Sequence, residues 1–320
     1  MRESKFERPE IIRPPSEWRS YYLPLTSGCS NNTCTFCNRW GEKLQMRDLD
    51  EVKREIDALA LYMNNGLTLP EMPRIVYAVA REWDGKGLFL QDSDALVYPY
   101  AKLKEALEYL NLKLPDIERV AAYATAQDIL RRSVEELKEL RKLKLGILYI
   151  GLESGDDEIL QKICKNVTAQ QVVDAVKRVK QAGIMTSVTV ILGLGGTLQL
   201  KDAKAASDRH TLATAKALSE MDPDYAGALT MTLVPGTPMY ADATSGKFKL
   251  ITPFESLQEL LTIIKNANFS NCFFSSMHAS NYFSVRGTLP QDKEKMIKAL
   301  EKIIQQGDPN LLRPEYLRGL

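Results

Sequence analysis

Residues 21–38, YYLPLTSGCSNNTCTFCN, join a short apolar run to a loop that holds three of the chain's five cysteines. The apolar run has the length and composition of a buried strand. Cys29, Cys34 and Cys37 follow it in a C-x4-C-x2-C pattern. Active sites of parallel α/β sheets lie at the carboxyl ends of the strands. The stretch therefore indicates an α/β fold with a reactive loop after its first strand.

The rest of the chain continues this alternation of strands and helices. Six short β-rich runs precede segments whose apolar residues recur at three and four positions. The predicted strands are 20–26, 87–91, 118–124, 146–152, 185–192 and 225–233, and the predicted helices are 49–63, 100–111, 133–143, 168–182 and 208–221. Such βα units imply a parallel sheet. We predict an α/β fold, a partial (β/α)6 TIM-type barrel, with a doubly wound sheet as the alternative.

Three domain regions are expected. Prolines disfavour regular pairing in residues 1–18, which we expect to form an N-terminal arm. The barrel is predicted over 19–238. Residues 239–320 break the alternation, and we expect a C-terminal α/irregular extension that covers the barrel mouth, with helices near 253–266 and 290–305.

Composition limits the class of protein. The 320 residues are 44% hydrophobic and 26% charged, and 42 Lys and Arg face 41 Asp and Glu. No global field attracts nucleic acid or an anionic membrane. The sequence has no signal-peptide pattern and no apolar run long enough to span a bilayer. We expect a cytoplasmic protein, in which clustered cysteines favour metal binding or catalysis over disulfides.

The odd number of clustered thiols is informative. Structural zinc and structural iron–sulfur clusters usually take four protein ligands. The two histidines, His210 and His278, and the other cysteines, Cys164 and Cys272, lie far along the chain and stand alone. Three local thiols therefore suggest a cluster with one iron open to an exogenous ligand.

The loop, with Phe36 before its last cysteine, resembles the radical S-adenosylmethionine (SAM) superfamily. The resemblance implies that Cys29, Cys34 and Cys37 hold a 4Fe–4S cluster whose fourth iron binds SAM. Electron transfer would cleave SAM to methionine and a 5'-deoxyadenosyl radical, which abstracts hydrogen from a substrate. The commonest superfamily spacing is C-x3-C-x2-C, so this loop is a variant with one additional residue.

The resemblance also implies SAM contacts at later strand ends. A stretch after the second predicted strand offers acceptors for the SAM ammonium, although its carboxylates could equally cap the next helix. A polar residue follows the fourth strand. A glycine turn follows the fifth strand, and in this turn Gly196 replaces an acidic residue. Backbone groups follow the sixth strand. The implied residues are Asp92, Ser93, Asp94, Glu153, Ile191, Gly193, Gly195 and Leu233.

Two further residues are candidate catalytic groups. Tyr123 ends the third predicted strand, and core packing is its alternative role. His210 would face the barrel mouth as a substrate contact or proton donor, and a surface or capping position is its alternative. Cys164 and Cys272 are expected to be buried thiols.

Longer phrases, among them LQDSDALV at 90–97 and MHASNYFSVRGTLPQDKE at 277–294, resemble a group of unknown substrate near the Elp3/MiaB and oxygen-independent coproporphyrinogen oxidase-like types. No second cysteine cluster and no preceding cobalamin domain are evident. The resemblance implies an electron donor such as flavodoxin or ferredoxin and an unidentified substrate. The alternatives are a tRNA-modifying radical SAM protein and a non-catalytic iron–sulfur or zinc protein.

Overall fold

A sheet of mainly parallel strands with connecting helices forms the framework of the protein. The structure, a computed structural model, describes residues 6–196 and 203–319. The strands are β1 (Tyr21–Pro24), β2 (Thr26–Ser27), β3 (Gln45–Met46), β4 (Gly87–Gln91), β5 (Arg119–Tyr123), β6 (Leu145–Glu153), β7 (Met185–Leu192), β8 (Tyr225–Thr230), β9 (Cys272–Ser275) and β10 (Arg286–Leu289).

The helices connect these strands in the predicted alternation. They are α1 (Leu49–Asn65), α2 (Arg74–Glu82), α3 (Tyr100–Lys113), α4 (Ala126–Leu130), α5 (Val134–Lys142), α6 (Asp157–Lys162), α7 (Ala169–Gln181), α8 (Ala203–Met221), α9 (Pro238–Thr244), α10 (Pro253–Asn266) and α11 (Lys293–Gln306). Short 3₁₀ turns occupy Pro15–Glu17, Pro309–Leu311 and Glu315–Leu317.

The strand order confirms the predicted α/β class. Eight strands follow the order β1-β4-β5-β6-β7-β8-β9-β10, and β2 pairs with β3 in a separate hairpin. The pairs β1–β4, β4–β5, β5–β6, β7–β8 and β8–β9 are parallel, whereas β10 runs antiparallel to β9. The carboxyl ends of these parallel strands precede the loops that carry the candidate site.

Local sequence explains several helix boundaries. Ser133 accepts the Glu136 N–H at 3.0 Å, and Glu136 accepts the Ser133 N–H at 2.8 Å, which forms a capping box at the start of α5. Thr252 and Glu255 form a second capping box at the start of α10. These reciprocal bonds satisfy backbone donors that a helix start otherwise leaves without partners.

The structure adds elements that the sequence patterns did not predict. β9 and β10 have four residues each and extend the sheet into the region expected to be helical or irregular. The helices α2, α4, α6 and α9 have five to nine residues. Such short segments show too few repeats of an apolar period for a prediction from sequence.

The chain divides into two compact units. The first, here called the amino unit, comprises Met1–Asn32, Gly41–Tyr149 and Arg178–Met185. The second, the carboxyl unit, comprises Thr33–Trp40, Ile150–Lys177 and Thr186–Leu320. The predicted boundaries at 18 and 238 stay predictions.

Aromatic packing fills one face of the sheet in the amino unit. Tyr22, Phe89, Ala121 and Ile147 form one cross-strand row in β1, β4, β5 and β6. The row belongs to a buried cluster that also contains Tyr149, with Val79 of α2 packed against it.

Polar groups of the N-terminal region fasten it to the same unit. The buried Glu17 carboxylate accepts the Tyr149 hydroxyl at 2.7 Å and an Arg119 N–H at 2.7 Å. Arg8 pairs at 2.8 Å with Glu55, which is fully buried in α1. These bonds order the described part of the predicted arm.

The carboxyl unit contains a separate apolar cluster. It includes Ile159 of α6, Ile191 of β7, Met231 after β8 and Met239 of α9. Within residues 6–196 and 203–319, the structure contains no helix that is both long and apolar enough to cross a membrane.

Candidate active site

Two buried carboxylates hold the start of the cysteine loop. In the amino unit, Asp92 accepts the Gly28 N–H at 3.0 Å, and Asp94 accepts the Ser30 hydroxyl at 3.1 Å. Both carboxylates are buried. Gly28 has φ +80°, and a Cβ atom there would lie 2.6 Å from the Lys43 carbonyl oxygen, so the turn requires glycine. The two carboxylates thus position the residues on either side of Cys29.

These contacts refine the expected role of the residues after β4. Asp94 also accepts the Leu96 N–H at 2.9 Å and the Thr125 hydroxyl at 2.7 Å. The half-buried Ser93 hydroxyl has no protein hydrogen-bond partner among the described residues. Of the three predicted ammonium acceptors, Ser93 therefore has the most accessible side chain. Asp92 and Asp94 instead accept hydrogen bonds from the cysteine loop.

The rest of the cysteine loop is fastened to the segment after α6, within the carboxyl unit. The Thr33 hydroxyl donates to the Cys164 carbonyl at 2.9 Å, and the Thr35 N–H donates to the Ile163 carbonyl at 3.0 Å. Phe36 packs against the apolar cluster of this unit. These contacts fix the backbone on both sides of Cys34.

An ammonium on a half-buried side chain lies near two of the thiols. Lys165 donates to Glu153 at 2.8 Å. Burial opposes the charge of Lys165, but the Glu153 carboxylate and the thiols of Cys34 and Cys37 outweigh it and raise the pKa of Lys165. Sequence reasoning missed this residue, because it follows the short helix α6, which the apolar pattern did not predict.

The Cys37 sulfur has a defined polar environment. Burial raises the pKa of the Cys37 thiol, and the Arg39 N–H, which donates to its sulfur at 3.4 Å, opposes that effect.

Glu153 has φ +63°, and a side chain at Gly151 would collide with its carboxylate. In this arrangement the Glu153–Lys165 pair occupies space that a side chain at residue 151 would take.

His210 occupies an interior position. It is fully buried in α8, with Nδ1 2.7 Å from the Ser154 hydroxyl and Nε2 3.1 Å from the Ile191 carbonyl. The structure thus places it neither on the surface nor with an open ring edge. Both ring nitrogens join the ends of β6 and β7, and a catalytic role for His210 stays a prediction.

Tyr123 belongs to the aromatic cluster of the amino unit. Its ring meets Phe89 edge-on at a centroid distance of 5.1 Å and lies 6.0 Å from Tyr149. Burial, with a smaller contribution from Asp92, raises the pKa of Tyr123. The ring packs among other aromatic side chains, which is the alternative to a catalytic role. The hydroxyl retains its proton at neutral pH.

The turn after β7 is held by a residue from the C-terminal region. Glu259 of α10 is buried and accepts the Gly193 N–H at 2.6 Å and the Ser207 hydroxyl at 2.7 Å. Gly193 has φ +77°. Ile191 and Leu233 pack in the apolar cluster of the carboxyl unit, and Gly195 follows in the same turn. Sequence reasoning missed Glu259, which lies 66 residues from Gly193.

The thiols have the chemistry of cluster ligands. All five cysteines are free of disulfide bonds. Among the described residues, no group of three or more His, Cys, Asp or Glu side chains is arranged around one ion position. The donor set nevertheless fits an iron–sulfur cluster, because three thiols without disulfide bonds lie on one loop and a backbone N–H and an ammonium favour sulfur in its thiolate form.

Fold and loop together define the class as an α/β enzyme with a thiol site after the first strand of a parallel sheet. The family model for the radical SAM superfamily matches residues 23–203. This match covers more than half of the 320 residues, and the chain belongs to the radical SAM superfamily. Membership implies a 4Fe–4S cluster and SAM.

Other proteins share this domain. A provisionally named methylthiotransferase of Methanocaldococcus jannaschii is 24% identical over 174 residues, which cover 53% of this chain and 34% of the relative. Coproporphyrinogen III oxidase (HemN) of Escherichia coli has a similar fold, with a TM-score of 0.51, 16% identity and coverage of 77% of this chain and 52% of that chain.

A third similar protein binds an additional cofactor. The radical SAM methyltransferase TsrM of Kitasatospora setae, solved with cobalamin and a 4Fe–4S cluster, has a TM-score of 0.51 and 17% identity, with coverage of 76% of this chain and 40% of that chain. In all three comparisons the match spans about half or less of the other protein. At these identities the solved structures establish the fold alone.

Proposed function

We propose that this protein cleaves SAM reductively at a 4Fe–4S cluster held by Cys29, Cys34 and Cys37. The observation that carries the proposal is the Lys165 ammonium near Cys34 and Cys37, paired with Glu153 at 2.8 Å. A positive charge beside a thiol stabilises the thiolate, which is the ligand form of cysteine. When bound, the cluster supplies one electron that breaks the C5'–S bond of SAM, giving methionine and a 5'-deoxyadenosyl radical.

The surrounding residues would orient SAM and its radical product. The Ser93 hydroxyl is an acceptor for the SAM ammonium, and the backbone at Ile191, Gly193, Gly195 and Leu233 would contact the nucleoside. The radical takes one hydrogen atom from a substrate, which leaves 5'-deoxyadenosine and a substrate radical. Exclusion of water and oxygen protects such a radical from side reactions.

We also propose a one-electron donor such as flavodoxin or ferredoxin in the cytoplasm. The reaction consumes one electron for each SAM cleaved, and a separate one-electron donor would supply it. The substrate is unidentified, and neither its class nor the regeneration of SAM follows from family membership.

Two alternative functions predict different results. A tRNA-modifying radical SAM protein is one alternative, although the formal net charge of +1 gives no support for a nucleic-acid partner. A non-catalytic iron–sulfur or zinc protein needs a fourth protein ligand. Cys272 is fully buried in β9, which disfavours it as that ligand.

The test is SAM cleavage by the reconstituted protein. The chain is loaded anaerobically with iron and sulfide, SAM and dithionite are added, and 5'-deoxyadenosine is measured by mass spectrometry. We expect product from the wild type and from Cys272→Ala, a matched variant outside the loop. We expect at least about 100-fold less from Cys34→Ala, since loss of one of three cluster ligands removes the site.

Equal product from the wild type and Cys34→Ala would refute the catalytic proposal. Formation of 5'-deoxyadenosine only when tRNA is added would instead support the tRNA-modifying alternative. A stable cluster or bound zinc without any SAM cleavage would support the non-catalytic one.

A further inference from the structure

One face of the sheet in the carboxyl unit carries polar and half-exposed residues. Successive side chains of a strand point to opposite faces. On one face lie buried apolar residues such as Ala226, Ala228 and Phe274. The opposite face, here called the open face, carries Ser187, Thr189, Tyr225, Gly227, Phe273, Ser275, Arg286 and Thr288, all half-buried or exposed.

The strand register aligns four of these residues in one row. Thr189 pairs with Gly227, Gly227 with Ser275, and Ser275 with Arg286. We call this set the polar row. It crosses β7, β8, β9 and β10 within the carboxyl unit, and neighbouring strands of a sheet lie about 4.8 Å apart. Two hydroxyls and one guanidinium therefore flank a glycine on the same face.

Gly227 leaves a hollow in the polar row. Among residues 6–196 and 203–319, a Cβ atom built there would have only the Ser275 carbonyl oxygen within 4 Å, at 3.9 Å. By contrast, a Cβ atom at Gly287, on the other face of β10, would lie 2.5 Å from Asp292. The open face thus has free space where the other face is packed.

The polar groups of this row retain hydrogen-bonding capacity. Among residues 6–196 and 203–319, Arg286 and Thr189 have no side-chain hydrogen bond or ion pair with the protein. The Ser275 hydroxyl accepts the Met277 N–H at 3.1 Å, which leaves its own proton available. A guanidinium and two hydroxyl donors around a hollow suit an anion, because charge-assisted bonds to oxyanions are the strongest that these groups form.

We propose that the polar row is an oxyanion subsite that binds a carboxylate or phosphate group of a small molecule. The inference rests on the proposed function, for which it identifies a substrate subsite. Thr189 precedes Ile191, the expected nucleoside contact, by two residues on the same face of β7, a separation of about 7 Å. An anion on this row thus leaves the neighbouring part of the substrate close to the nucleoside.

The test measures anion binding directly. Isothermal titration calorimetry of the cluster-loaded protein without SAM uses inorganic phosphate and, in a separate arm, succinate, so that the two oxyanion classes are distinguished. Arg286→Gln should weaken binding of the preferred anion at least about tenfold. Gly227→Val should weaken it similarly by filling the hollow, while circular dichroism stays unchanged.

A matched control removes the same charge elsewhere. Arg81 is exposed on α2 in the amino unit, and Arg81→Gln should leave binding within about twofold of the wild type, since a distant exposed charge is screened by salt. An affinity unchanged by Arg286→Gln, an equal loss in Arg81→Gln, or no binding of either anion to the wild type would overturn the subsite.

The failure of the subsite and that of the proposed function are distinguishable. If phosphate or succinate binds in an Arg286-dependent way but no 5'-deoxyadenosine forms above the Cys34→Ala level, the subsite stands and the radical reaction fails. If 5'-deoxyadenosine forms while Arg286→Gln binds both anions as the wild type does, the subsite alone fails.

Discussion

Two cross-strand rows show how similar backbones support different tasks. In the amino unit, Tyr22, Phe89, Ala121 and Ile147 form a row that is buried under other aromatic rings. In the carboxyl unit, the polar row of Thr189, Gly227, Ser275 and Arg286 is half-buried or exposed.

The side chains at alternate positions make this difference. Large rings bury apolar area and close the first row, which stabilises the fold. Small and hydroxyl-bearing residues leave the second row open, which contributes little to stability and leaves donors for a ligand. Whether one face of a strand forms core or binding surface therefore depends on the side chains at every second position.

The largest expected effect tests the closed row. Phe89→Ala removes a fully buried ring that packs edge-on against Tyr123, and we expect the free energy of unfolding to fall by about 3–5 kcal/mol. Urea denaturation followed by circular dichroism measures this change. Tyr225→Ala, an exposed aromatic of the open face, is the matched control and should lower it by less than about 1 kcal/mol. Equal losses would remove the distinction between the faces.

A smaller effect concerns the pKa of Asp94, a buried carboxyl beside the cysteine loop. Burial, together with the neighbouring Asp128 carboxyl, raises the pKa of Asp94 from 3.8 to about 8. The folded protein keeps this proton up to about pH 8, whereas the unfolded chain releases it near pH 4. Its stabilising effect is therefore complete below pH 4 and decreases as the pH rises to 8.

Asp94→Asn should remove this pH dependence. Between pH 5 and pH 7, the wild type should lose about 2.8 kcal/mol of unfolding free energy relative to Asp94→Asn, because a group protonated only in the folded state changes stability by about 1.4 kcal/mol per pH unit. Urea denaturation at the two pH values tests this, with Arg286→Gln as the control that follows the wild type. Parallel pH profiles of Asp94→Asn and the wild type would contradict the shift.

The smallest expected effect concerns the hollow itself. Gly227→Ala should change the free energy of unfolding by less than about 1 kcal/mol, because its methyl group would meet no atom of the described part of the chain closer than 3.9 Å. Gly287→Ala, on the packed face, should lower stability by about 1–3 kcal/mol because its Cβ would approach Asp292. Thermal denaturation compares the two variants. A larger loss in Gly227→Ala would show that the open face is packed.

Much of the framework was predictable from the sequence. All six predicted strands are present, because buried parallel strands read as apolar runs that contrast with the amphipathic helices between them. The spacing of Ser133 and Glu136, which is typical of a capping box, is also visible in the sequence. β9 and β10 were not predictable, since four residues carry too little periodicity and their pairing is decided by contacts distant in sequence.

The site was predictable only in part. The three cysteines and Phe36 stand in one local motif, and motif spacing conveys ligand chemistry directly. The loop-holding role of Asp92 and Asp94, the Lys165–Glu153 pair and the burial of His210 depend on tertiary packing. A sequence pattern indicates which residues are polar at a strand end. It does not indicate which of them form hydrogen bonds within the protein and which remain available to a ligand.

The Glu259 carboxylate has a consequence for sequence variation among homologues. It bonds the Gly193 turn from 66 residues away, whereas the resemblance to the superfamily turn implies an acidic residue at the position of Gly196. A side chain at 196 would collide with the Phe248 ring. Positions 196, 248 and 259 should therefore covary: lineages that lose the acid in α10 should regain one in the turn and carry a smaller residue in place of Phe248.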